Sequence, residues 1–253
     1  MHSILPLAIG LVALLYASVG HAGATGYIAV MTLLGMPSAV VRPTALLLNV
    51  IVATIASVQF IRAGHFRSQL FWPLAVASVP CAFVGGTLTL PTAAFEAVLG
   101  GVLLASAARM LFDARRPAAD DHATTEPLPR SRPPVAWAAL GGAIGLLSGL
   151  TGVGGGVFLT PALLALGAAP VKNIAAVTAP FILVNSLAGL GGGLLAGRPF
   201  PAAGLPVIAA AVLGGAIGSH VGAFRLPART LRLLMAAVLA FASVKLLGRP
   251  LGL

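Results

Sequence analysis

Two stretches of this chain, residues 1–41 and 133–171, contain no Lys, Arg, Asp or Glu. A soluble fold does not keep runs of 41 and 39 residues free of charge, because some of each run must face water, so these segments belong in hydrocarbon. Composition agrees: 58% of the chain is hydrophobic and 8% charged, against about 25% charged in an ordinary soluble domain. One crossing takes about 20 residues, so each stretch holds a full helix and something shorter. Glycines divide both. The first breaks at Gly20, His21 and Gly23 into helices predicted over 4–19 and 25–36, and the second at Gly152, Gly154, Gly155 and Gly156 into 135–150 and 157–168. A dozen residues rise about 18 Å, too little for a hydrocarbon core of about 30 Å, so 25–36 and 157–168 read as half-helices or re-entrant hairpins.

The order then repeats. Apolar runs at 44–61, 70–90 and 92–112 are answered by runs at 173–196, 202–224 and 229–247. Gly20, Gly23 and Gly35 match Gly152, Gly155 and Gly167 at an offset of 132, Pro37 matches Pro170 and Gly85 matches Gly218 at 133, and Asn49 matches Asn185 at 136. The chain is therefore expected to be an all-α polytopic membrane protein made by internal duplication, with a first transmembrane repeat over 1–112, a linker over 113–133 and a second repeat over 134–253. The linker carries Arg115, Arg116, Arg130 and Arg132, four prolines and four of the five acidic residues, and its arginines assign it to the cytoplasm. Length favours eight full transmembrane helices plus the two short ones, with ten basic residues on the linker side and five on the other. The alternative, ten crossings as inverted repeats of five, sharpens that asymmetry to eleven against four. The reading adopted is eight plus two.

Outside the linker the single carboxylate is Glu96. That composition, with no His-Glu-x-x-His and no phosphate-binding Gly-x-x-x-x-Gly-Lys-Ser/Thr, leaves an enzyme, a metal centre or an ATP-driven pump without residues, and no cofactor is expected. The net charge of +10 is spread singly or in short groups between apolar runs, which fits topology signals and attraction to anionic headgroups or solutes rather than nucleic acid.

Three consecutive glycines, Gly154 to Gly156, expose peptide groups that lipid cannot satisfy, so the turn is expected to face a polar cavity. A glycine turn feeding a short helix also presents N–H groups at the positive end of the helix dipole, an arrangement that binds oxyanions. Close packing through small residues is the competing use of such glycines. The candidate substrate-binding residues are Gly20, His21, Gly23 and Thr25 at the first turn and Thr151, Gly152, Gly154, Gly155 and Gly156 at the second. Asn49, Thr178, Asn185 and Ser186 join them from the long helices that follow, since polar groups there need partners or a hydrated path.

The run from Gly149 to Pro161, Gly-Leu-Thr-Gly-Val-Gly-Gly-Gly-Val-Phe-Leu-Thr-Pro, followed by an apolar segment to Gly167 and set in a duplicated layout, resembles the TauE/SafE sulfite exporter family, or TSUP permeases, over essentially the whole chain. The first copy departs from the motif, reading Gly-His-Ala-Gly-Ala-Thr-Gly from Gly20 to Gly26. The resemblance implies an inner-membrane carrier that exports sulfite, sulfonates or related sulfur oxyanions. With the inside negative, each exported negative charge gains roughly 2.3 kcal/mol per 100 mV, so export needs no coupling ion. The alternatives are a proton- or ion-coupled uptake permease using Glu96 or His21, an anion channel, and a non-transporting membrane subunit. The expected partners are a small anionic solute and membrane lipids, with homo-oligomerisation left open.

Overall fold

The computed structural model describes residues 4–88, 133–201, 203–227 and, beyond them, 230, 231, 233, 234, 236, 237 and 240. Its regular elements are α1 (Ile4–Ser18), α2 (Ala24–Leu33), α3 (Ser38–Arg62) and α4 (Ser68–Thr87), then α5 (Pro134–Thr151), α6 (Gly156–Ala165), α7 (Val171–Leu195) and α8 (Leu205–His220), which a π-helical turn, Val221–Arg225, continues. Glu96, the linker and the apolar run at 92–112 lie outside the described residues, as does most of the run at 229–247. By length and composition, α3, α4, α5, α7 and α8 with its π-turn are long and apolar enough to cross a membrane. α1, expected as a full crossing, has 15 described residues and rises about 22 Å, whereas α2 and α6, at ten residues each, rise about 15 Å.

Helices α3 and α7 start earlier than their sequences predict, at Ser38 and Val171 rather than 44 and 173. In α3 the expected apolar run begins only after Arg42 and Pro43. Pro37 instead starts the helix by accepting the Val40 and Val41 N–H groups at 2.9 and 3.1 Å, and Pro43 rides inside at the cost of one backbone bond. Pro170 starts α7 in the same way, accepting from Ile174 at 3.0 Å. Both helices have 25 residues, so no insertion separates their starts from the asparagines. Asn49 is twelfth in α3 and Asn185 fifteenth in α7, which places Ile182 opposite Asn49 in register and corrects the expected asparagine pair.

The course of the bundle follows from who touches whom. Along α3 and α7, Leu46 meets Gly189, Asn49 meets Ser186, and the His65 carbonyl after α3 accepts from Asn173 Nδ2 at 2.7 Å, so the two helices are antiparallel. Along α4 and α5 the residues advance together: the backbones at Leu74, Ser78 and Ala82 lie where side chains would stand on Gly141, Gly145 and Gly149. Gly214 and Gly218 of α8, with Gly222 of its π-turn, bring the backbone onto Gly10, Leu14 and Ser18 of α1, again in parallel. Glycine at every fourth position clears one helix face and lets two backbones touch, the packing mode that apolar solvent favours. Each half's first helix thereby packs against the other half's fourth.

The outward faces are apolar. Ile4, Leu7, Leu11 and Leu15 form an exposed stripe on α1, as do Trp72, Val76, Val79 and Phe83 on α4. Inside lie Ser78, Asn49, Ser148, Thr160, Thr178, Asn185 and Ser186, all buried. Water would penalise that distribution and hydrocarbon does not.

A valine at Gly145 would drive its Cβ into the Ser78 backbone, whereas an alanine at Gly142 would make ordinary contacts with the Cys81 sulfur at 3.4 Å and the Ala77 Cβ at 3.6 Å. Thermal unfolding in detergent should show Gly145→Val destabilised by about 1–3 kcal/mol or more, with Gly142→Ala close to the unmodified protein. Equal midpoints would mean that the α4 and α5 backbones do not hold the bundle together.

Candidate functional site

The second glycine turn lies inside the bundle, between α5 and α6. α5 ends where the Gly152 N–H donates to the Ser148 carbonyl at 2.9 Å, with Gly152 at φ 74°. Gly154 and Gly155 follow at φ 81° and 82°, a backbone region closed to most side chains, and reverse the chain into α6. The Gly155 carbonyl accepts from Phe158 and Leu159 at 3.1 and 3.0 Å, so the N–H groups of Gly155, Gly156 and Val157 stand ahead of the first helical donors. Asn49 reaches across from α3, its Nδ2 donating to the Val153 carbonyl at 3.2 Å and to Ser186 Oγ at 3.4 Å. An added Cβ at Gly154 would stand 2.5 Å from that Nδ2 and 2.8 Å from Ser186 Oγ. Asn49 Oδ1 and Ser148 Oγ are buried there without a hydrogen-bond partner. Arg42, half-buried on α3, flanks the turn: an added Cβ at Gly152 would lie 3.5 Å from Arg42 Cβ.

The first turn joins α1 to α2. Its bend is made by Gly20 and Gly23 at φ 75° and 103°, with the His21 N–H closing onto the Tyr16 carbonyl at 2.9 Å. Gly20 is pressed against α7, where an added Cβ would come within 2.6 Å of the Ala175 carbonyl. His21 is buried, its Nδ1 3.2 Å from the Val19 carbonyl. Its Nε2 has no partner, and the ring stands beside the backbone of Gly156, the first residue of α6. The two turns, far apart in sequence, therefore meet.

Not every candidate converges on this place. His21, Asn49, Ser186 and Gly154 to Gly156 do. Thr151 Oγ1 donates to the Leu147 carbonyl of its own helix at 2.7 Å and accepts the Val153 N–H of the turn at 3.4 Å, and Thr178 faces Thr160 at 3.1 Å while turning its methyl toward Gly156. Asn185 donates to Phe181 in its own helix at 2.8 Å and accepts from the Ser78 hydroxyl, tying α7 to α4. Thr25 donates to the Tyr16 hydroxyl at 2.9 Å. Sequence reasoning passed over Ser148, Tyr16, Tyr27 and Arg42. Helical spacing from the glycines would have found the first two, since each stands four residues before its turn's first glycine.

At the end of the bundle where α3 stops and α7 begins, His65 is partly buried next to Lys172. Burial first, and the lysine charge second, hold its imidazole below the ordinary histidine range.

The profile of the family described as Sulfite exporter TauE/SafE matches residues 5–246. A relative from Sinorhizobium fredii, described as "Probable membrane transporter protein y4hK", is 37% identical over 243 residues, which cover 96% of this chain and 97% of that protein. No solved structure matches.

Replacing Asn49 by Leu strips the Val153 carbonyl of its side-chain donor in a buried setting and should cost about 1–3 kcal/mol of stability. Ser186→Ala, which loses only the longer contact, should cost less. Thermal unfolding of both variants in the same detergent checks the order, and a Ser186→Ala protein weaker than Asn49→Leu would contradict it.

Proposed function

Because this chain belongs to the TauE/SafE family and is a membrane transporter of that family, we propose that it is a secondary carrier of small anions, exporting sulfite, sulfonates or related sulfur oxyanions across the inner membrane. The observation that carries this reading is the meeting of two glycine turns inside the bundle, each opening a ten-residue helix by its N-terminal end. Two positive dipole ends directed at one region attract an anion through backbone N–H groups, and a solute held that way leaves no full counter-charge behind when it departs. The membrane potential supplies the outward drive.

The repeats, over 1–112 and 134–253, are read as joined by a cytoplasmic linker over 113–133. The antiparallel course of α3 and α7 supports inverted repeats of five, the alternative to eight crossings, because repeats inserted the same way would run these helices alike. Arg62, Arg67, Lys172 and Arg225 then share the linker side, with Arg42 and Arg198 opposite, in keeping with the positive-inside rule.

Two experiments test these statements. With Cys81 replaced by Ser, single cysteines at Ser68 and Ala196 should react with an impermeant thiol reagent from opposite sides of oriented vesicles; reaction from the same side would restore the arrangement of eight. In liposomes with an imposed potential, the purified protein should carry sulfite or a small sulfonate saturably and with counter-flow. Flux without saturation would make it a channel, and no flux of any anion in a panel with thiosulfate, sulfate and carboxylates would leave a non-transporting subunit.

A further inference from the structure

The second turn offers backbone donors, and the first is built from different chemistry. The chain has two tyrosines, and both converge on the first turn. Tyr16, in the last turn of α1, is buried and accepts the Thr25 hydroxyl at 2.9 Å, which leaves its own phenolic proton to donate. Tyr27, on the first turn of α2, is fully buried, its hydroxyl has no partner, and it ends against Gly23: an added Cβ there would be 3.1 Å from the phenol oxygen. A phenol buried in this way ordinarily finds a partner, and leaving it unmade costs about 1–3 kcal/mol. Gly23, at φ 103°, caps α2, whose first helical donor is the Tyr27 N–H onto the Gly23 carbonyl at 2.9 Å, so the N–H groups ahead of it open toward the same end. His21 Nε2, also unpartnered, connects this cluster to Gly156 of the second turn.

At the offset of 132 that aligns the turns, Tyr16, Thr25 and Tyr27 correspond to Ser148, Val157 and Leu159. Duplication has thus left one turn with exposed backbone and given the other two phenols and a threonine. We infer that the first turn is a second, hydroxyl-lined oxyanion subsite in which Tyr27 and Tyr16 donate hydrogen bonds to an oxygen of the transported solute. This rests on the anion-carrier reading and assigns the two turns unequal parts: dipole attraction of net charge at α6, and recognition of oxygen by directed O–H donors at α2. A solute oxygen that accepts from two phenols gains in a dry site what a halide of equal charge cannot match, because two donors fixed on rigid helices select for the placement of the acceptor.

The tyrosine count makes the test direct. Biosynthetic incorporation of 3-fluorotyrosine yields two fluorine resonances, assigned by Tyr16→Phe and Tyr27→Phe, and both belong to this cluster. Added sulfite or a small sulfonate should shift both resonances, chloride should shift neither, and Tyr27→Phe should raise KM about tenfold while the maximal rate changes less. Tyr27→Phe removes the unpartnered oxygen and keeps the ring, so the thermal unfolding midpoint should be at or above that of the unmodified protein. Saturable flux with unmoved resonances and an unchanged KM in Tyr27→Phe overturns the subsite and leaves the carrier reading standing. The absence of both flux and shifts with every anion removes the carrier reading and the subsite with it.

Discussion

Breaking a helix inside a bilayer frees peptide groups that no solvent will bind, and the architecture is organised around that debt. At the second turn the exposed Val153 carbonyl is met by the amide of Asn49, brought from the other half of the chain. Gly154 leaves room for that amide because it has no side chain, and Ser186 closes the contact from α7. Remove the glycine and the asparagine has nowhere to lie; remove the asparagine and the carbonyl faces hydrocarbon unpaired. The Val153 carbonyl is thus held by a side chain, while the N–H groups at the head of α6 remain unengaged by helical bonds. N–H groups left free at the head of a helix suit an anion and disfavour a cation.

A second constraint comes from the long helices. α1 lies on α8 and α5 lies on α4, each pair in backbone contact along a row of glycines. The two halves are therefore interleaved rather than placed side by side. Between the pairs run α3 and α7, in opposite directions, and both send side chains to the turns: Arg42 and Asn49 from α3, and Ala175, Thr178, Ile182 and Ser186 from α7. Since glycine-lined pairs permit almost no change of spacing, relative motion of the α1–α8 and α4–α5 pairs as units would be felt first at α3 and α7, next to the turns.

Much of this was legible in the residues themselves. The charge-free stretches and their glycine breaks located both short helices within a few residues, and the glycines matched between the copies, Gly20, Gly23 and Gly35 with Gly152, Gly155 and Gly167, all take positive φ. Gly64 and Gly197, equally left-handed and 133 apart, extend that register and were not singled out. The start of α3 was placed at the apolar run that follows Arg42 and Pro43, although a helix embedded among neighbours tolerates an internal proline and the loss of one bond. The asparagines were paired by residue type, and three positions along a helix separate a residue that grips the turn from one that binds Ser78 and its own helix. Direction along the membrane normal was out of reach for a sequence pattern, since helix periodicity is the same read upward or downward. Contacts between residues more than a hundred positions apart decide it.

The exchange of partners between halves also sets the order of assembly. α1 leaves the ribosome before the helix whose glycines receive it, α8, which follows nearly two hundred residues later. Until α8 arrives, the face of α1 that bears Gly10, Leu14 and Ser18 has only lipid or a transient neighbour against it. The amino-terminal half is accordingly unfinished on its own, and the turn at Gly20 has no wall until Ala175 of α7 is in place. Membrane insertion of the first four helices is thus a prelude, and the fold closes from its carboxy-terminal end.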